Sequence, residues 1–274
     1  MSISINTNTL AMVTRRSLGN NQESLATSMT RLSSGLRINK ASDDAAGMAI
    51  SSRMETQARG MGVAQRNAQD AISLVQVAEG AIGQVGSMLQ RMRELAVQAA
   101  NATNATADRS NLDAEFQQLS AEVTRTIANT QFNGIAIIGS GAGTTNYQVG
   151  PNSTDQVAVA TVNLSSTTTL TNVTSGAVTT ATAASSAMAN IDTALTLVNT
   201  QRALYGAVQN RFEAMIQVLK VNEENTRAAR GRIMDANFAE ETANLSRSQI
   251  LQQAASAMVA QANSLPQMAL QLLR

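Results

Sequence analysis

The chain has 274 residues, a formal net charge of +1, no cysteine, histidine or tryptophan, and 2% aromatic residues. Without Cys or His it has no disulfide, thiol nucleophile, Ser-His-Asp or Cys-His pair, or ordinary zinc site, so no catalytic, cofactor-binding or metal residue is predicted. Near-neutral charge without a basic face interleaved with aromatics gives no case for nucleic acid, and no run of about 18 apolar residues is present to insert into a membrane.

Residues 1–40 carry a seven-residue apolar repeat. Ala11, Leu18, Leu25 and Leu32 recur at seven, with Met29 and Leu36 in the i+4 slots. This predicts an amphipathic helix weakened early by Gly19 and the Asn20-Asn21 pair, and marginal in an isolated monomer. The opening Met-Ser-Ile-Ser-Ile lacks the basic start and apolar core of a Sec-type signal, so export, if it occurs, needs another route. Ser42-Asp43-Asp44 reads as a helix start, with Ser42 as the cap and two carboxylates at the positive end of the helix dipole. Acid/base or metal chemistry for the aspartate pair needs a third ligand or polarising group, and none is evident.

From Met54 to Ala99 the heptad is sustained. Met54, Met61, Ala68, Val75, Ile82, Leu89 and Ala96 form one series; Gln57, Ala64, Ala71, Ala78, Val85, Met92 and Ala99 form the other. Six repeats of an a/d seam predict one helix of roughly 70 Å, which needs partners of similar length. After the polar break at 101–106, Asp108 or Ser110 opens a second helix on Leu112, Phe116, Leu119, Val123 and Ile127. Asn133-Gly134 is a turn, Ile135–Ile138 a short strand, and Tyr147–Val149 and Val157–Leu164 are further strand candidates around Gly150-Pro151-Asn152. Residues 165–186 are Ser, Thr, Ala and Val with no charge and no visible helical face. They read either as a surface loop or β excursion, or as a variable solvent-facing segment open to O-glycosylation.

The heptad returns at Ile191, Val198, Tyr205, Phe212 and Leu219, with Ala194, Val208 and Met215 three residues on and Gln201 as the polar exception. A last helix begins near Asp235. There Leu251, Met258, Leu265 and Leu272 recur at seven, and Ala255, Ala262 and Ala269 follow by four; Pro266 removes a helical hydrogen bond. The fold predicted is mainly α: an elongated antiparallel coiled-coil or helical-bundle rod with a small β-hairpin region. Its terminal helices form an inner coiled coil. The divisions are 1–42 and 235–274 for the two halves of the terminal helical domain, 43–138 and 187–234 for the rod, and 139–186 for a short variable β/loop segment. The rod seam is Val75, Ile82, Leu89, Val198, Tyr205 and Phe212. The terminal seam is Leu18, Leu25, Leu32, Leu251, Met258, Leu265 and Leu272, and it predicts burial between the two ends and against other copies.

Several ordered motifs resemble bacterial flagellin: Leu32-Ser-Ser-Gly-Leu-Arg-Ile-Asn-Lys-Ala-Ser-Asp-Asp-Ala-Ala-Gly-Met-Ala-Ile50, Gln90-Arg-Met-Arg-Glu-Leu-Ala-Val-Gln98, Thr130-Gln-Phe-Asn-Gly134, Gly206-Ala-Val-Gln-Asn-Arg-Phe212 and Ile250-Leu-Gln-Gln-Ala. The resemblance covers roughly 1–138 and 188–274. It implies a secreted structural subunit that self-assembles into the extracellular flagellar filament for motility. It also implies exit in unfolded form through the flagellar type III export apparatus, and the partners of that life: an export chaperone, junction and cap proteins, and copies of itself. With little chain between 139 and 187, no large outer domain is expected. The resemblance further implies a Toll-like receptor 5 patch on Gln90, Arg91, Glu94, Leu95 and Glu115; the other reading of these charges is rod–rod contact in the filament. Gly231, Thr226 and Asn237-Phe238 depart from the common pattern at the joint between rod and terminal helix. Three rival readings are weighed. A hook–filament junction protein shares the layout; a protease-bearing flagellin needs a His-Glu-x-x-His helix that a chain without histidine cannot have; a generic coiled-coil scaffold explains the heptads but not the motifs.

Overall fold

A computed structural model describes the backbone of residues 7–272 and the side chains of residues 7–264. Among the described residues are six helices: α1 Thr9–Ser34, α2 Ala45–Ala100, α3 Thr106–Asn129, α4 Thr168–Thr174, α5 Ala181–Met234 and α6 Phe238–Leu272. Strands β1 Gln131–Phe132 and β2 Ile135–Ala136 make one antiparallel hairpin, and β3 Thr144–Gln148 and β4 Gln156–Ala160 a second. The mainly helical class with terminal helices packed together and small hairpins is as predicted. The chain divides into two compact units, residues 57–224 and residues 1–56 with 225–274.

The 57–224 unit is built on the two long heptads. On α2, Ala68, Ala71, Val75, Ala78, Ile82, Val85, Leu89, Met92, Ala96 and Ala99 are all buried. On α5, Ile191, Ala194, Val198, Tyr205 and Phe212 face them, and Gln201 is buried among these with its Oε1 unpaired. The helices run antiparallel, joined at their flanks by Gln65–Glu223 at 2.7 Å, Glu79–Gln209 at 3.0 Å and Arg93–Asp192 at 2.6 Å. The third side is closed by α3, which buries Phe116, Val123 and Ile127 at the predicted spacing. Asp108 lies one turn inside α3 and accepts from the Ala105 N–H, one half of a capping box.

The β1–β2 hairpin obeys local turn chemistry. Asn133 and Gly134 have φ of 49° and 78°, the type I′ geometry that two-residue hairpins favour. The strand expected over Ile135–Ile138 stops at Ala136, and Ile137 and Ile138 enter the core instead. β3 rests on α5 through Tyr147, whose ring meets Phe212 edge-on at 6.1 Å.

Residues 165–186 correct the sequence reading. They include helix α4, which buries Leu170 and Val173, and α5 already begins at Ala181. No face was visible because the buried residues, Leu170, Val173, Val178 and Ala184, are spread over a helix, a connector and the start of the next helix among threonines and serines. The segment is also held by polar bonds from α3. Ser120 Oγ donates to the Thr174 carbonyl at 2.8 Å, Gln117 Nε2 to the Gly176 carbonyl at 2.9 Å, and Asp113 Oδ1 accepts from the Val178 N–H at 2.7 Å.

In the other unit, α1 and α6 pack antiparallel. Gly35, at φ 71°, closes α1 with its N–H on the Arg31 carbonyl, the left-handed cap that glycine accommodates. The chain then bridges Leu36 to Asp235, and Arg37 N–H donates to the Met234 carbonyl at 2.6 Å. The helix start predicted at Ser42 is corrected. Asp44 is the cap, its Oδ1 accepting from Gly47 N–H at 2.8 Å. Asp43 turns back to accept from the Asn39 and Lys40 amides, which hold its carboxyl below the ordinary range.

Leu89→Ala, which empties a fully buried position on α2, is expected to lower the unfolding free energy by about 2–5 kcal/mol. Val97→Ala, on the exposed side of the same helix, should change it by less than about 0.5 kcal/mol. Urea denaturation followed by circular dichroism reads both; equal effects would contradict the assigned core.

Candidate assembly and receptor surfaces

The described residues hold no group of three or more His, Cys, Asp or Glu that could bind a metal. What the structure arranges is surface.

The terminal pair is the first candidate. α1 turns Ala11, Leu18, Leu25 and Leu32 toward α6, interleaved with Thr14, Asn21 and Ser28; Ala11 and Ser28 are buried and the rest half-buried. α6 answers with Glu241, Ser248, Ala255 and Ala262, alternating with Leu245, Gln252 and Val259. Asn8 Nδ2 donates to the Ala262 carbonyl at 2.7 Å at one end, and Arg31 pairs with Glu241 at 2.9 Å at the other. The joint therefore mixes half-buried aliphatic residues with polar ones, and its most buried members, Ala11, Ser28, Glu241, Ser248 and Ala262, are small or polar. Across these two helices Ala11 and Ala262 are the buried hydrophobic residues among the described side chains.

The predicted terminal seam is accordingly only half internal. Leu18, Leu25 and Leu32 face α6, but Leu251 and Met258 are 44% and 53% exposed. Small residues on the neighbouring stripe permit closer helix approach, so α6 gives that stripe to α1 and rotates its large side chains outward. Leu10, Met12, Val13 and Met29 on α1, and Phe238 and Ile250 on α6, are exposed as well. The side chains of Leu265 and Leu272 lie outside the described residues. All six residues of the predicted rod seam, Val75, Ile82, Leu89, Val198, Tyr205 and Phe212, are buried in the 57–224 unit. Burial pushes the Tyr205 phenol above its ordinary range.

The second candidate lies where α3 passes α2. Arg91 Nε donates to Glu115 Oε1 at 2.9 Å, and its Nη1 donates to Glu94 Oε2 at 2.9 Å. These bonds, Glu94 first, raise the Arg91 guanidinium above its ordinary value. Gln90 is exposed alongside. Leu95, expected in the same patch, is 1% exposed and packs in the core. The reason is α3: by covering another side of α2, it widens the buried stripe beyond the a/d positions, and a two-helix reading of the heptad cannot show that. Beside the patch, Arg93 donates to Asp192 and holds its carboxyl below the ordinary range.

Because the folded value for Asp192 lies below the unfolded one, the pair stabilises at pH above the ordinary aspartate pKa. Its contribution is lost as the pH falls through the lower folded value. An NMR titration should place the Asp192 midpoint below 3.8, and Arg93→Ala should return it to the ordinary range. A midpoint unmoved by the substitution would show that the pair does not form in solution.

Comparison with known proteins bears on the whole chain. A family model for the bacterial flagellin N-terminal helical region matches residues 5–141, and one for the C-terminal helical region matches residues 188–273. The chain is 46% identical to a flagellin of Halalkalibacterium halodurans, over 98% of this chain and 99% of that one. It is 38% identical to the flagellar filament 33 kDa core protein of Treponema phagedenis, again over 98% and 99% of the two chains. Its fold is similar to that of a chain described as a hook-associated protein of the flagellum from Vibrio parahaemolyticus, with a TM-score of 0.58 over 70% of this chain and all of that one, at 14% identity.

Proposed function

This chain belongs to the bacterial flagellin family and is a structural subunit of the flagellar filament, not an enzyme; on that premise we propose that it polymerises through its two terminal helices. The observation that carries this is the composition of the α1–α6 pair. The residues buried in its internal joint are small or polar, Ala11, Ser28, Glu241, Ser248 and Ala262, while Leu10, Met12, Val13, Met29, Ile250, Leu251 and Met258 stand in solvent. At about 25 cal/mol per Å² of apolar surface, burying such a set is a substantial driving force that the single chain leaves unused. Neighbouring copies at the growing tip complete that burial. The hook–filament junction reading is not favoured: its likeness is one of fold at 14% identity, against 46% with a flagellin.

The subunit leaves the cell unfolded through the flagellar type III apparatus, with an export chaperone before it and junction and cap proteins at the filament's ends, and the filament it builds drives motility. A chain without cysteine needs no oxidative folding on arrival outside. As a free monomer it also engages Toll-like receptor 5 through Gln90, Arg91, Glu94 and Glu115. The support is that these four are exposed and that Arg91 pairs with two carboxylates, Glu94 and Glu115, which sets the direction of its guanidinium.

Leu251→Asp should abolish filament growth, seen by negative-stain microscopy after seeding, because it places an unpaired charge where a neighbour docks. Normal filaments from this variant would sink the terminal-seam reading. Deleting residues 240–274 should likewise stop polymerisation while leaving the 57–224 unit folded. Arg91→Ala should weaken receptor activation in reporter cells roughly tenfold or more; an unchanged response would remove the receptor proposal.

A further inference from the structure

The 57–224 unit has two further stripes that nothing among the described residues covers. The first is on α5, well round the helix from its core seam. Leu204, Arg211 and Val218 recur at seven, and Ala207, Ala214 and Val221 follow each by three. All six are exposed, Leu204, Val218 and Val221 by 53%, 59% and 56%. A helix with one partner shows one such seam. Valines on a wet helical surface cost helix propensity without return, so a second complete heptad indicates a second helix to pack against.

The other stripe is on α2. Val63, Asp70 and Val77 recur at the same spacing of seven, exposed, with the apolar pair at 45% and 42%. Each stripe therefore has a charge midway between two apolar side chains, and the charges are opposite. Neither Arg211 nor Asp70 makes a hydrogen bond or ion pair among the described residues. Asp70 is felt only by Tyr147, whose phenol is raised first by burial and second by that carboxylate.

We propose that the α5 stripe of one copy docks on the α2 stripe of the next, antiparallel, with Arg211 on Asp70, Leu204 on Val77 and Val218 on Val63. The occupant is a second copy because the complementary pattern is on the chain itself and the family forms filaments. α2 and α5 run antiparallel within the unit, so copies that all point one way bring α5 of one against α2 of its neighbour in the required sense. The two stripes are different patches, which makes the contact heterologous and suits an open helical polymer instead of a closed ring. The central pair sets the register: a slip of one heptad in either direction puts each charge against an aliphatic side chain, buried and unpaired. Ala207 and Ala214 beside Arg211 leave room for close approach. Arg66, on the same side of α2, falls opposite Ala214, where its stem can lie flat with its head in water.

This inference rests on the self-assembly reading and adds a contact that the terminal helices do not make. The test uses full-length chain with Asp70→Arg, Arg211→Asp and the double exchange, with the lowest concentration supporting filament growth measured by sedimentation. Each single exchange should raise that concentration about tenfold or more, since it sets like charges against each other. The double exchange should return it to within about threefold of the parent, because the pair is restored with reversed sign. Thermal melts of the monomers, which should coincide, separate assembly from folding. Singles that polymerise like the parent, or a double as poor as the worse single, would overturn the stripe pairing and leave terminal assembly standing. A parent chain that forms no filament would overturn both.

Discussion

The antiparallel contact of α2 with α5 is what the 57–224 unit depends on. With 2% aromatic residues in the chain, its core cannot be built from large rings. It is built from repetition: alanine at 64, 68, 71, 78, 96 and 99, and aliphatic side chains at 75, 82, 85 and 89, each buried on α2. Alanine contributes little area per residue, so this core depends on the number of its repeats and not on any one side chain. The few large side chains, Tyr205, Phe212 and Phe116, are placed where α3 and the β3–β4 hairpin meet the pair, where two cylinders alone would leave a wedge unfilled.

A seam made this way leaves helix surface to spare, and each surplus face is handled by different chemistry. α3 uses its buried face for α2 and α5, and a polar row, Asp113, Gln117 and Ser120, to fasten the backbone after α4. α2 gives Arg91 and Arg93 to carboxylates on α3 and α5. These exposed pairs are worth little individually in stability; they fix which side chains are presented, and in what posture. The surfaces proposed for a receptor and for neighbouring subunits are the outer faces of the contacts that build the unit.

The terminal pair works on the opposite principle. The buried places of its joint go to Ser28, Ser248, Glu241 and small alanines, its leucines are half-covered, and Leu10, Met12, Val13, Met29, Ile250, Leu251 and Met258 face away. Buried polar residues specify alignment more than they stabilise, and here Arg31–Glu241 and Asn8–Ala262 mark the two ends of the alignment. Weak internal burial and strong unused burial suit a segment proposed to complete its burial on neighbouring copies.

The period of seven in two long stretches was enough to show two long helices with seams that bury against each other, but not every core residue: Met61 of the series is only half-buried, and Leu74 and Ile216, outside it, are buried. Asn133-Gly134 likewise carried its own turn, and the motifs carried the family. Tertiary structure alone decided the rest. Leu95 went inside because α3 arrives from outside the heptad. Leu251 and Met258 turned out because α1 packs on the smaller stripe beside them. α4 formed because Leu170 and Val173 find burial in a core whose other members are remote in the chain. In each case the deciding partner is remote in the chain: a sequence pattern states what a helix can bury, and only the fold states which neighbour comes to bury it.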